Sequence, residues 1–391
     1  MKKLLAALTS AVLAGSLASC GSSSSKSENK DDPTGKTIGI SLPAQFLERW
    51  NNDGEFLKAK FEEAGYKVDL KFAEGDEARQ NNDIISMIND KVDLLLIAAV
   101  DGDKLGSTLD SAKDANIPVI AYDRLINNTN AITYYISFDN IGVGRLQATY
   151  IVDQLKLKST DKSYNIEFVS GDSADPNATY FFKGAYEELE PYIKSGKLNV
   201  LSGRTTIEDT ATEGWKTENA KADMTKILAS KYSSGTNLDA VICANDSTAL
   251  GVRQAIDENY NGSNDVLITG QDGDVENLVN IADGKQSMTV YKNVQEEATV
   301  TFEVCKTILA GNTPAASLAE QTSVDVDYDT ETYDNGVKRV QSYLLTPYVI
   351  TKDNLQRLVD TGNYKWDSSK KYVEKVTGTS SEASSETESD S

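Results

Sequence analysis

Short aliphatic runs alternate with helical stretches along this chain, and the alternation happens twice. Thr37–Leu42 reads as a strand and is followed by a helix from about Phe46 to Ala64. Lys67–Phe72 is a second strand, with a helix through Ile84, Ile85 and Ile88 after it. Asp93–Ala98 is almost wholly aliphatic, the pattern of a strand covered on both faces. A helix over Ser107–Ala115 and strands at Pro118–Tyr122 and Thr133–Phe138 complete the first series. The second series has strands at Tyr164–Ser170, Leu198–Leu201, Ala240–Ala244, Val266–Gly270 and Ser287–Val290. Helices separate them near Phe182–Tyr192, Asn219–Lys231, Ser247–Glu258 and Val275–Asp283. This rhythm predicts an α/β chain of two successive domains, each a parallel sheet with helices on both faces. Asn293–Ala310 and Ser342–Ile350 read as a late helix and strand that cross between them.

The ends of the chain have a different character. Lys2 and Lys3 precede a short apolar run, Leu4 to Leu17, and Leu17-Ala18-Ser19-Cys20 closes it. The run is too short to span a bilayer and reads as an export signal over residues 1–19. A cysteine directly after the cleavage point resembles the bacterial lipobox, so Cys20 is the expected lipid anchor. The rival reading is an ordinary signal peptide beside a chance cysteine. Residues 20–35 are serine-rich and charged, as a tether should be, and residues 374–391 form an acidic, serine-rich tail without apolar residues to bury. The protein is thus expected outside the cytoplasm, on the outer face of the bacterial cell membrane or in the periplasm.

Composition excludes several functions. The formal charge is −21, which repels nucleic acid and anionic lipid. Histidine is absent, which removes the Ser-His-Asp hydrolases, papain-like proteases and histidine-bound zinc enzymes. Beyond Cys20 the only cysteines are Cys243 and Cys305, too few for a disulfide framework, and both read as buried thiols. Gly142-Val143-Gly144-Arg145 could open a dinucleotide-binding loop, but no third glycine follows at the needed spacing. No metal or cofactor is expected.

In open α/β sheets, ligands lie at the carboxyl ends of strands. Arg49-Trp50 follows the first predicted strand, Asp101 the third and Asp123-Arg124 the fourth. Asn245-Asp246, Gln271-Asp272 and Lys292 follow strands of the second series, and Asn177 and Asn219 sit near helix starts. Carboxylates, amides and cations from both domains suit a neutral polyol, whose hydroxyls each donate and accept. Trp50 could cover the apolar face of a pyranose. Taken singly, each has a plainer reading: Trp50 as core, Asp123-Arg124 as a surface ion pair, Asp246 as a helix cap, Asn219 and Lys292 as solvated residues.

At these residues the chain resembles the periplasmic sugar-binding proteins of bacterial ABC importers, in the xylose-binding and multiple-monosaccharide-binding branch of the type I (ribose-binding-like) fold. The resemblance runs from about Lys36 to Asp360, and particular stretches carry it. They are Glu48-Arg49-Trp50, Ala121-Tyr122-Asp123-Arg124-Leu125-Ile126, Tyr135-Ile136-Ser137-Phe138-Asp139-Asn140 and Glu218-Asn219-Ala220, then Ala244-Asn245-Asp246-Ser247-Thr248-Ala249, Gly270-Gln271-Asp272, Met288-Thr289-Val290-Tyr291-Lys292 and Ser342-Tyr343-Leu344-Leu345-Thr346-Pro347. The resemblance implies that Arg49, Trp50, Asp123 and Arg124 bind sugar from the first lobe, with Trp50 as stacking platform. It implies Asn177, within Asp175-Pro176-Asn177-Ala178, as a second-lobe contact, with Asn219, Asp246 and Lys292 as the others. The xylose binders' second aromatic has no counterpart at Gly203-Arg204-Thr205-Thr206, the stretch that follows, up to Trp215, is longer, and Pro176 replaces a usual asparagine.

The expected architecture is two doubly wound lobes, residues 36–139 plus 293–335 and residues 140–292 plus 336–373, joined by a hinge of three crossings. The expected function is capture of xylose, glucose, galactose or arabinose by lobe closure and delivery to an ABC permease, by a non-enzymatic monomer. The alternatives are a sugar sensor that addresses a membrane chemoreceptor or sensor kinase, and a nucleoside-binding lipoprotein. A sugar dehydrogenase is the enzymatic rival.

Overall fold

Leu94–Ile97 is aliphatic and buried at every position, as a strand between two helical layers must be. In the computed structural model, which describes residues 32–33 and 35–376, this run is central to the larger of the two main sheets. The first lobe begins β1 (Thr37–Leu42), α1 (Glu48–Glu63), β2 (Lys67–Phe72), α2 (Glu77–Asn89), β3 (Leu94–Ile97), α3 (Gly106–Asp114), β4 (Val119–Tyr122) and β5 (Ile132–Phe138). The chain then crosses into the second lobe: α4 (Asn140–Gln154), β6 (Tyr164–Val169), α5 (Pro176–Lys194), β7 (Leu198–Asn199), α6 (Ile207–Thr210), α7 (Thr217–Lys231), β8 (Ala240–Cys243), α8 (Asp246–Asn259), β9 (Leu267–Ile268), α9 (Val275–Ala282) and β10 (Thr289–Tyr291). It returns through α10 (Val294–Leu309), α11 (Ala316–Gln321), β11 (Val326–Asp329) and β12 (Ser342–Leu345). A last passage gives β13 (Tyr348–Ile350), α12 (Gln356–Asp360), β14 (Tyr364–Trp366) and β15 (Val373–Lys375).

The first sheet has the order β11-β12-β5-β4-β3-β1-β2, parallel except for the edge strand β11. The second has the parallel order β7-β6-β8-β9, and a bridge between Gln271 and Val290 carries it on to β10, which pairs with β13. The third crossing corrects the expected boundary. A boundary at residue 336 puts residues 336–345 in the second lobe, yet β12 pairs with β5 from Ser342–Tyr135 to Leu345–Phe138, inside the first sheet. The run Ser342–Ile350 is also two strands, not one, because Thr346-Pro347 interrupts it where the chain changes lobes.

Gly142 and Gly144 lie inside α4, in no nucleotide loop. A Cβ on Gly144 would stand 1.9 Å from the Phe181 carbonyl oxygen, and one on Gly184 would stand 2.0 Å from that of Ile141. The two glycines let α4 and α5 touch backbone to backbone. Cys243 and Cys305 are both free and buried, in separate cores of the two lobes. Among the described residues no helix is long and apolar enough to cross a membrane. The expected leader, Cys20, the tether to residue 31 and the tail from residue 377 lie outside the described residues.

Candidate functional site

The carboxyl ends of β1 and β4 in one lobe face those of β6, β8, β9 and β10 in the other. Helix caps fix several of the turns between. Asp175 caps α5 by accepting from the Asn177 backbone N–H at 2.9 Å, and Pro176 presets the first helical turn. Asn245 and Thr248 form a reciprocal capping box at the start of α8. The cleft between these turns encloses a space of about 30 Å³, roughly one water's worth.

Its charged residues form one network. The Arg49 guanidinium lies 2.6 Å from Asp123, 2.8 Å from Glu297, 3.2 Å from Asp53 and 3.7 Å from Asp272. Lys292 reaches Asp123 at 3.2 Å and Asp272 at 3.7 Å. Arg124 pairs across the lobes with Asp175 at 2.8 Å. Burial disfavours the charge on Arg49, but Asp123, Asp53, Glu297 and Asp272 outweigh it and hold the guanidinium firmly charged. Burial likewise pushes the Asp123 carboxyl up, and Arg49, Lys292 and Arg124 bring it below the ordinary range, so Asp123 is an anion. Behind them burial raises Glu297 well above its usual value and raises Asp53, which accepts a hydrogen bond from the Tyr122 hydroxyl.

Asp123 sits at φ 54°, in the left-handed region that a residue with a Cβ rarely enters. Its carbonyl oxygen accepts from Tyr135 Oη at 2.7 Å, Ser137 Oγ at 2.8 Å and Asn177 Nδ2 at 2.8 Å. Those three donors offset the strain and aim the side chain at Arg49 and Lys292. Asp272 at φ 102° and Trp215 at φ 59° are likewise strained and likewise line the cleft.

Six of the eight expected residues line the space: Arg49, Trp50, Asp123, Arg124, Asn177 and Lys292. Asp246 and Asn219 do not. The Asp246 carboxylate is fully enclosed and accepts four hydrogen bonds, from the Gly273 and Asp274 backbone N–H groups, Gln286 Nε2 and Thr289 Oγ1. It holds the 271–274 turn from behind, and its neighbours Asn245 and Ser247 face the cleft instead. Burial pushes its carboxyl up to about 8, against those hydrogen bonds. Asn219 spends its amide N–H on the Glu213 carbonyl at 2.9 Å, in the first turn of α7.

A second aromatic does line the cleft: Trp215, from beyond the Gly203-Arg204-Thr205-Thr206 stretch. Trp215 is 5 % exposed and lines the cleft with Phe181, its ring 6.3 Å from that of Phe181 in an edge contact. Asp172 accepts from the Gly214 N–H at 2.6 Å and holds the turn, and Gly171 leaves room, since a Cβ there would stand 1.8 Å from the indole. Each lobe thus contributes one tryptophan. Trp50 is packed in the first core, with the Arg49 and Arg124 guanidiniums 5.0 and 5.1 Å from its ring centre. Spacing alone pointed to neither Trp215, Asp175 nor Glu297; the only signals were the long stretch that ends at Trp215 and the carboxylate two residues before Asn177.

Besides Arg124 Nε, which is ion-paired to Asp175 at 2.8 Å, three buried polar atoms of the cleft have no hydrogen-bond partner among the described residues: Trp215 Nε1, Gln271 Oε1 and Asp272 Oδ1. One donor and two acceptors are what a set of hydroxyl groups satisfies. Leaving each unpaired costs about 1–3 kcal/mol. Among the described residues no cluster of carboxylates or thiols is disposed to hold a metal ion.

Two α/β lobes, three crossings and a polar cleft lined from both sides define a hinged two-lobe binding protein. The chain belongs to the periplasmic binding protein domain family, whose pattern matches residues 38–313. It is 38 % identical over 335 residues to the multiple sugar-binding periplasmic receptor of Rhizobium radiobacter, covering 85 % of this chain and 91 % of that one. It is 37 % identical over 323 residues to the D-xylose-binding periplasmic protein of Escherichia coli, covering 82 % and 88 %. An ABC transporter solute-binding protein from Clostridium phytofermentans, solved with bound β-D-glucose, superposes with a TM-score of 0.80 at 42 % identity, covering 84 % of this chain and 98 % of that one.

Proposed function

We propose that this protein captures a neutral monosaccharide outside the cell and presents it, between closed lobes, to an ABC importer. The observation that carries the reading is the cleft itself: one tryptophan from each lobe, an ionised Asp123 and unpartnered donors and acceptors in an enclosed polar space. Aromatic faces cover the C–H surface of a pyranose, and carboxylate, amide and guanidinium groups take its hydroxyls. The names of the relatives support the same ligand class, as does the glucose in the Clostridium structure.

Arg49, Trp50, Asp123, Arg124, Asn177 and Lys292 would contact the sugar, with Trp215, Gln271 and Asp272 added. Because the network now occupies most of the space, a sugar enters only when the lobes part, and its hydroxyls take over ion-pair partners as they close. The sugar thus favours the closed form by contacts that the open form cannot make. No bond is made or broken. Cys20 would carry the lipid that keeps the protein at the membrane, and Cys20→Ser should release it into the medium or periplasm. Titration calorimetry with xylose, glucose, galactose and arabinose tests the function. Binding of none of them would overturn it.

A further inference from the structure

Beside the cleft lies a second, larger chamber of about 620 Å³, well inside the range of roughly 300–1,000 Å³ for small-molecule sites. Both lobes wall it, with Asn52 and Phe56 from α1, Gln295 from α10 and Asn363 and Tyr364 from the C-terminal segment. Arg49, Asp272, Asp274 and Lys292 line both the chamber and the cleft, so the two spaces meet at these four side chains. An ion pair between Glu48 on α1 and Lys375 on β15 ties the lobes together at its edge.

The chemistry of the walls selects an occupant. Asn363 is 8 % exposed, and its Nδ2 is already committed to Tyr291 Oη at 3.0 Å and Asn293 Oδ1 at 2.9 Å. Its Oδ1 has no partner among the described residues. Asp272 Oδ1, at the junction, has only the two cations at 3.7 Å and no hydrogen bond. Both unpaired atoms are acceptors, so the occupant must donate, which favours hydroxyls over phosphate or carboxylate. Half-buried Phe56 supplies an apolar face of the kind that covers a sugar ring, and Tyr291 and Tyr364 are buried in the wall.

We propose that the chamber is a second sugar subsite, so that the protein takes neutral disaccharides with one ring in the cleft and the next in the chamber. The inference rests on the cleft being a monosaccharide site, and its test separates the two. Calorimetry is run with xylose and glucose, then with xylobiose, cellobiose and maltose, on the unaltered protein and on Ala59→Phe. Ala59 is an exposed α1 residue on the chamber wall, outside the cleft lining, so the new ring obstructs the chamber alone. At least one disaccharide is expected to bind within about thirtyfold of its monosaccharide, and Ala59→Phe should weaken it about tenfold or more while changing monosaccharide affinity less than about threefold. Monosaccharide binding with every disaccharide weaker than that limit overturns the subsite and leaves the cleft reading standing. Disaccharide binding that Ala59→Phe does not selectively weaken also overturns it. A disaccharide that binds, and is selectively weakened, without its monosaccharide supports the chamber and overturns the monosaccharide reading. Binding of no sugar overturns both.

Discussion

Asn177 of the second lobe donates its Nδ2 to the backbone carbonyl of Asp123 in the first, at 2.8 Å. The same side chain accepts, through Oδ1, from Asn140 Nδ2 at 3.1 Å and shares with the Asp123 carbonyl the single proton of Tyr135 Oη, at 3.0 Å. One amide therefore binds a strained cleft residue, a first-sheet strand and the first hinge crossing at once. Asn177→Ala removes all three and should lower sugar affinity while favouring open lobes. The expected loss is about 1–3 kcal/mol, read by calorimetry, with a larger radius of gyration in solution scattering. A variant with unchanged affinity and shape would show that the bridge is incidental to closure.

Arg124 and Asp175 face each other across the cleft, both nearly enclosed. Arg124→Ala leaves a buried carboxylate without its cation, and burial already raises Asp175. Sugar affinity should fall by about 2–5 kcal/mol, more than for loss of a neutral contact. Arg124→Lys should recover only part, because an ammonium cannot reproduce the planar fork.

Trp215→Ala should weaken binding by about 1–3 kcal/mol through loss of the second aromatic face and of the indole N–H. Trp215→Phe keeps the face and loses the donor, so it should fall between. If both variants bind like the unaltered protein, Trp215 is packing and nothing more.

Asp246 makes a prediction of opposite kind, because it acts on stability. Its carboxyl is raised from 3.8 to about 8 in the folded protein, so the folded form holds a proton that the unfolded chain releases. Its contribution is fully present below the unfolded value and declines as pH rises toward 8, by up to about 1.4 kcal/mol per pH unit. Asp246→Asn should flatten that decline in urea melts between pH 5 and 8. Asp123, held below its ordinary range, contributes with the other sign: its part is present above the carboxylate range and lost as pH falls through it.

Gly144→Ala forces a methyl against the Phe181 carbonyl where α4 and α5 touch. Stability should drop by about 1–3 kcal/mol in chemical denaturation, as for an overpacked core. Sugar affinity per folded molecule should change less than stability, since the clash falls on the Phe181 backbone and, of the residues at this contact, only the Phe181 side chain lines the cleft.

The alternation of aliphatic runs and helices was enough to place two α/β lobes, because burial on both faces leaves its mark on consecutive residues of a strand. The strand-end rule was enough to bring Arg49, Trp50, Asp123, Arg124 and Lys292 to one cleft, while Asn177 rested on its helix start and on the family resemblance. Such reasoning places a residue beside the cleft and says nothing of where its side chain turns. Asn245 and Ser247 flank Asp246 and face the cleft, while Asp246 turns behind it to four donors. Trp215 arrives from a loop whose φ of 59° no periodicity encodes. β12 joined the first sheet rather than the second because pairing with β5 is a contact between residues about two hundred positions apart. Local pattern in the chain thus decided the elements and their order, while backbone angles at the turns and long-range pairing decided which side chains meet, since both depend on the packed whole.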